Sequence, residues 1–187
     1  MATEITWLGH GSWTIHTGGL SLILDPFLDE NPTAPLKSDE IDADYILVSH
    51  GHFDHVADVA AIAHRTEASV IAIYEIAEWF SNNHNVESTT GMNLGGGIDL
   101  PFGRVTMTEA VHSSQLPDGT YGGNPAGFLL ELPEGNVYFA CDTALFGDMK
   151  LIGAVGIELA VLPIGDLFTM GPDQSIEAIK LIEPRRV

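Results

Sequence analysis

The stretch Y-I-L-V-S-H-G-H-F-D-H, Tyr45 to His55, constrains this chain more than any other. The apolar run Tyr45 to Val48 reads as a short strand, and His50 leaves it at its C-terminal end. Behind that run stand three histidines and an aspartate within six positions. His50 and His52 are two residues apart on extended backbone, so their side chains leave on the same side and can grip one ion. Asp54 and His55 fall at the turn into a following helix, where the chain changes direction and aims them at a neighbouring position. The pattern predicts two adjacent metal sites at the end of a buried strand.

The flanking sequence supplies the rest of such a fold. Ile5 to Thr17 alternates imperfectly and is followed by Gly18, Gly19 and the run Leu20 to Leu24, which predicts a hairpin with Asp25 ending its second strand. Residues 29 to 44 are polar and contain proline, and read as a loop. Val56, Val59, Ala60 and Ala63 recur at helical spacing with Asp54 as N-cap. Strand Ser69 to Ile73 and a helix using Ile76, Trp79 and Phe80 follow. Further strands are expected at Arg104 to Thr108, Gly127 to Leu132 and Val137 to Cys141, the last two joined through P-E-G-N. A helix around Ala144 to Ile152, a strand from Leu159 to Leu162 and a helix from Pro172 to Ile182 complete the series, with Pro172 suited to a first helical turn.

Charge and composition exclude several functions. The 187 residues carry 26 acidic and seven basic side chains, a formal net charge of −19 that repels phosphate backbones and anionic lipid heads. Nucleic acid and membrane are therefore not expected as partners. The single cysteine, Cys141, forbids an intramolecular disulfide and a thiolate zinc knuckle, so metal must be held by histidine and carboxylate. The N-terminus M-A-T-E-I-T-W has neither a basic nor an apolar leader region, which suggests a cytoplasmic protein.

H-G-H-F-D-H matches the H-x-H-x-D-H signature of the metallo-β-lactamase superfamily. Around it stand W-L-G-H-G-S from Trp7, L-D-P-F from Leu24, H-S-S from His112, C-D-T-A-L-F from Cys141 and P-I-G-D-L-F-T-M-G-P from Pro163. In this order the motifs resemble metal-dependent hydrolases near the ascorbate-6-phosphate lactonase branch, along nearly the whole chain. The resemblance implies a four-layer αββα sandwich, one domain over residues 1–187. It implies a first metal on His50, His52 and His112, a second on Asp54 and His55, and Asp142 bridging both. Two divalent ions are expected, zinc first, with manganese, nickel or iron as alternatives. Metals about 3.5–4 Å apart share a hydroxide whose parent water has a pKa near about 7, giving a nucleophile against a small ester, lactone or phosphodiester. Asp54 is the expected catalytic residue, orienting or deprotonating the water.

The family completes its second site with a histidine near the C-terminus, in a strand that starts after a segment like E-P-R-R-V. The present sequence stops there: either it is a fragment, the favoured reading, so that the domain lacks its last strand and helix, or the second site is weak, empty or completed by another residue, His10 first; His10 reads equally as a turn residue within G-H-G-S. Asp25 is expected to support a ligand histidine by hydrogen bond. Asp166, in the P-I-G-D loop, either does the same or stabilises its own turn. The substrate is expected to be a small molecule, anionic ones included because the metals concentrate positive charge; a homo-oligomer stays open. The competing functions are a mononuclear iron oxygenase of the persulfide-dioxygenase type, which shares the signature, and a non-catalytic metal-binding protein. The diiron redox branch is disfavoured, because it is expected to carry glutamate where this chain has His52.

Overall fold

Two glycines at positive φ, Gly18 at 58° and Gly19 at 82°, close the first hairpin, because a two-residue turn between twisted strands needs left-handed backbone. The hairpin belongs to one of two compact units in the computed structural model, which describes residues 2–187. The first unit runs to Asn93 and includes Ser114–Gly123; the second comprises Leu94–Ser113 and Asn124–Val187. Among the described residues no helix is long and apolar enough to cross a membrane.

The first unit holds one six-stranded sheet in sequence order: β1 (Glu4–Trp7), β2 (Trp13–Thr17), β3 (Leu20–Leu24), β4 (Tyr45–Val48), β5 (Ser69–Ile73) and β6 (Thr89–Met92). β1, β2 and β3 pair antiparallel, and β3 to β6 pair parallel. Ile46, Leu47 and Val48 are fully buried, as an interior strand requires. Its helices are α1 (Phe53–Val56), α2 (Val59–Thr66) and α3 (Tyr74–His84).

Three expectations change here. Ile5 to Thr17 is not continuous: the chain leaves β1 at Trp7 and returns at Trp13 through a tight loop in which Gly9 and His10 both take positive φ, closed by Leu8 N–H to Ser12 O at 2.9 Å and Ser12 N–H to Gly9 O at 3.0 Å. Asp54 is not the N-cap of the helix after β4. Backbone stays extended through His52, which takes the cap position at φ −65° and ψ 146°, so Asp54 lies inside the first turn. β6, over Thr-Thr-Gly-Met, was not anticipated.

The second unit holds a five-stranded sheet in the order β11-β10-β9-β8-β7, from β7 (Gly97–Leu100), β8 (Gly103–Glu109), β9 (Ala126–Leu132), β10 (Gly135–Phe139) and β11 (Ile157–Val161). The β9–β10 hairpin turns on Pro133 and Glu134, with Leu132 opposite Gly135. β10 therefore starts two residues before the expected Val137, and it stops at Phe139 because Cys141 turns at φ 53°. The helices are α4 (Met149–Gly153) and α5 (Pro172–Ile182). α4 is shorter than expected: Leu145 and Phe146 pack on the core from non-helical backbone, and Gly147 and Asp148 precede the first helical residue. Leu129, Tyr138, Met149, Ile157, Met170, Ala178 and Ile182 form that core. Beyond α5 the chain bonds to β11, with Arg185 N–H to Ile157 O at 3.0 Å and Ala160 N–H to Arg186 O at 2.9 Å. Two sheets with few helices make this a mixed α/β protein, as the sequence suggested.

Candidate metal centre

Asp25 organises the buried end of β4. It sits at φ 46°, a left-handed position that aspartate tolerates better than most residues, and is 1% exposed. A buried carboxylate persists only if its oxygens are fed by donors. Here Ser49 N–H donates to Oδ1 at 2.7 Å, and the Ser49 hydroxyl and His55 Nδ1, at 2.9 Å, both reach Oδ2. An ionised carboxylate only accepts, so His55 must carry its proton on Nδ1 and present a lone pair at Nε2. Ser49 has spent its proton on Asp25, so its oxygen accepts from His50 Nδ1 at 2.9 Å. His50 is therefore also the Nδ1–H tautomer, with its lone pair on Nε2. One carboxylate thus sets the tautomers of two buried imidazoles.

The ligand atoms converge. His50 Nε2 lies 3.0 Å from Nδ1 of half-buried His52. His10 Nε2 lies 3.0 Å from Asp54 Oδ2, and those two side chains remain 39% and 44% exposed. His10, Asp54 and His55 offer one ligand atom each, all within 4.8 Å of one another, as do Asp25, His50 and His55. In the second trio the oxygens of Asp25 already accept from Ser49 and His55, which suits it to orienting ligands rather than binding metal. Asp54 is held down at about 2, chiefly by the hydrogen bond from His10 and further by the electrostatics of His55 and His10, against the desolvation that raises it. Its carboxylate is thus ionised at neutral pH and competent as a ligand. Imidazole nitrogen with carboxylate oxygen suits zinc, manganese, iron or nickel, so these donors fit the metal that the motif implies.

The backbone is shaped around these rings. A Cβ on Gly11 would lie 2.9 Å from His55 Cε1, so the loop after His10 passes the imidazole edge only because it has no side chain there. Gly51, between His50 and His52, donates its N–H to Ser114 Oγ at 3.0 Å, and Ser114 in turn donates to Gly122 O at 3.1 Å. Asp58 accepts from the N–H groups of Leu28 at 2.6 Å and Asp29 at 3.1 Å, fixing the chain that carries Phe27. Ser12, Ser49, Asp58 and Ser114 did not stand out in the sequence, where a serine or aspartate in a loop looks like an ordinary turn residue.

In the second unit, His112 and Asp142 come together, with Nε2 and Oδ2 3.7 Å apart and both side chains mostly buried. Thr143 makes that junction: its hydroxyl accepts from Val111 N–H at 2.9 Å, while Ala144 N–H donates to Val111 O at 3.0 Å. Asp166 is exposed at φ 68° on its own loop, where Oδ1 lies 3.0 Å from the place a Cβ on Gly171 would take.

Residues 21–187 match the family model described as the beta-lactamase superfamily domain. A protein of Methylacidiphilum infernorum named UPF0173 metal-dependent hydrolase is 44% identical over 186 residues, covering 98% of this chain and 82% of that protein. One of the same name from Thermus thermophilus is 44% identical over 184 residues, covering 98% and 81%. Among solved structures, a metallo hydrolase of the archaeon Ignicoccus hospitalis superposes with a TM-score of 0.83 at 30% identity, over 97% of this chain and 79% of its own. The motifs, the two-sheet architecture and these matches show that the chain belongs to the beta-lactamase superfamily, among its UPF0173 relatives.

Proposed function

We propose that the protein is a metal-dependent hydrolase that cleaves a small ester, lactone or phosphodiester. The observation that carries this reading is the convergence of His10, Asp54 and His55 beside a His50 whose tautomer is fixed through Ser49 and Asp25. His50 and His52 would hold one ion, and Asp54 and His55 the other, with His10 as a further donor. His112, shared with the first ion, and Asp142, bridging both, enter the proposal from the sequence resemblance. Divalent ions held there would lower the pKa of a coordinated water toward neutrality and polarise the substrate oxygen.

The chain's own residues do the remaining work. Asp25 and Ser49 keep two ligand nitrogens unprotonated and aimed, so that little reorganisation is needed when metal or substrate binds. Asp54, ionised and half exposed, would accept a proton or orient a water, and His10, 3.0 Å away, would stabilise its charge. A small-molecule substrate and a cytoplasmic location belong to the same proposal.

The test is to strip the protein with a chelator, reload it separately with zinc, manganese and iron, and assay ester, lactone and phosphodiester hydrolysis alongside oxygen uptake. Hydrolysis should disappear with the metal and return with it, and Asp54→Ala should abolish it while the variant stays folded. One iron per chain with oxygen consumption and no hydrolysis would establish the oxygenase instead. A folded, metal-loaded protein that cleaves none of the three substrate types would leave the non-catalytic reading.

A further inference from the structure

The rings of His10, Phe27 and Phe53 form a continuous edge beginning at the Asp54 pair. His10 and Phe27 meet edge to face with centroids 5.7 Å apart, and Phe27 and Phe53 meet the same way at 5.8 Å. Phe53 immediately precedes Asp54 in α1 and is 45% exposed. Trp7, 58% exposed, donates its indole N–H to His10 O at 2.9 Å. Scattered exposed aromatics are ordinary on protein surfaces, but this edge is held in place. Ser12 Oγ accepts from Phe27 N–H at 3.0 Å, Asp58 takes the next two backbone N–H groups, and α1 fixes Phe53. A rigid apolar edge beside polar donors is how small-molecule sites recognise the part of a substrate that does not react.

The charges around this edge favour neutral substrates. Among the described residues, the basic side chains of the first unit are Lys37 and Arg65. Lys37 Nζ is bound to the carbonyls of Leu28 at 3.3 Å and Asp29 at 3.0 Å. Arg65 is bound to Asp42 and to the carbonyls of Ser38 and Ile41. Recognition of a phosphodiester normally uses arginine or lysine on its non-reacting oxygens. The rim offers instead aromatic carbon, with Asp29 and Glu30 exposed on the loop after Phe27.

We infer that the site takes an uncharged ester or lactone whose apolar carbons lie along the Phe27–Phe53 edge, in preference to a phosphodiester. This rests on the hydrolase reading above and narrows its substrate class.

The test uses the zinc-loaded protein with three probes: γ-butyrolactone, γ-octalactone, which adds a four-carbon chain to the same ring, and bis(p-nitrophenyl) phosphate. The kcat/KM for γ-octalactone should exceed that for γ-butyrolactone by about tenfold, the lower end of what apolar contact with a few methylenes gives. Phe53→Ala should bring that ratio close to one and Phe53→Leu should keep most of it, while Tyr74→Ala, which removes an exposed aromatic elsewhere in the same unit, should leave it unchanged. Faster turnover of the phosphodiester than of both lactones overturns the inference and leaves the hydrolase reading standing. A ratio near one in the unaltered protein, or one indifferent to Phe53→Ala, overturns it as well. Turnover of none of the three, nor of the simple ester p-nitrophenyl butyrate, overturns the hydrolase reading itself, and this inference with it.

Discussion

His55 Nδ1 lies 2.9 Å from Asp25 Oδ2, with both side chains 1% exposed. A buried pair of this kind contributes little over a well-packed apolar one, yet removing one partner strands the other. Asp25→Asn keeps the size and tolerates the same left-handed backbone, but turns an acceptor into a group that also donates toward Ser49 and His55. We expect a loss of about 3 kcal/mol in stability and a zinc affinity lower by about 10–100-fold. Denaturant unfolding of the metal-free variant and competition titration of the metal measure the two effects separately. Unchanged zinc affinity in Asp25→Asn would remove Asp25 from its orienting role.

The His10–Asp54 pair makes a pH prediction. Asp54 is held at about 2 against an ordinary 3.8, so folding favours its ionised form. A depressed carboxylate stabilises the fold fully above its unfolded value and loses that contribution as pH falls through its folded one. In the metal-free protein, the stability due to this pair should be complete above about pH 4 and disappear between there and about pH 2. His10→Ala removes the largest cause, so the Asp54 carboxyl, followed by carbon-detected NMR, should titrate closer to 3.8. A midpoint unmoved by that substitution would show that His10 does not hold it down.

Ser114→Ala tests whether the segment Ser114–Gly123 supports the histidine pair. The hydroxyl is the acceptor for Gly51 N–H at 3.0 Å, and Gly51 is buried. Leaving that amide without its acceptor should cost about 1–3 kcal/mol. Hydrogen exchange at Gly51 should quicken by about tenfold or more, because local opening loses the bond it had to break. Exchange as slow as in the unaltered protein would mean that the bond contributes nothing.

The sequence disclosed most where a residue's role depends on its near neighbours. β4 and the cluster behind it were legible because an unbroken apolar run and a dense set of histidines are local signals, and α5 begins at Pro172 as expected for a residue that fits a first turn. β6 was missed because Gly91 follows its two threonines and the four residues show no apolar alternation, so the strand forms by pairing with β5. α4 was overextended because Leu145 and Phe146 have helical spacing with Met149 yet pack from irregular backbone. The supports of the site were invisible for a similar reason. Ser49 finds Asp25 across 24 positions, Asp58 finds Leu28 across 30, and Gly51 finds Ser114 across 63. Such pairings follow from the completed fold and not from local pattern.

Gly11→Ala probes how closely the His10 loop must pass the metal centre. The added methyl would come within 2.9 Å of His55 Cε1, closer than carbon atoms approach without something moving. The His55 ring cannot swing aside freely, because Asp25 holds its Nδ1 and the buried ring of His50 lies beside it with centroids 4.0 Å apart. The loop must move instead, carrying His10 away from Asp54. Overpacking of this sort costs about 1–3 kcal/mol, and the Asp54 carboxyl should rise toward 3.8 as it does in His10→Ala, since it loses the same hydrogen bond. If Gly11→Ala destabilises the protein but leaves the Asp54 titration unchanged, the loop has yielded without releasing His10, and the ring of His55 has moved in its place.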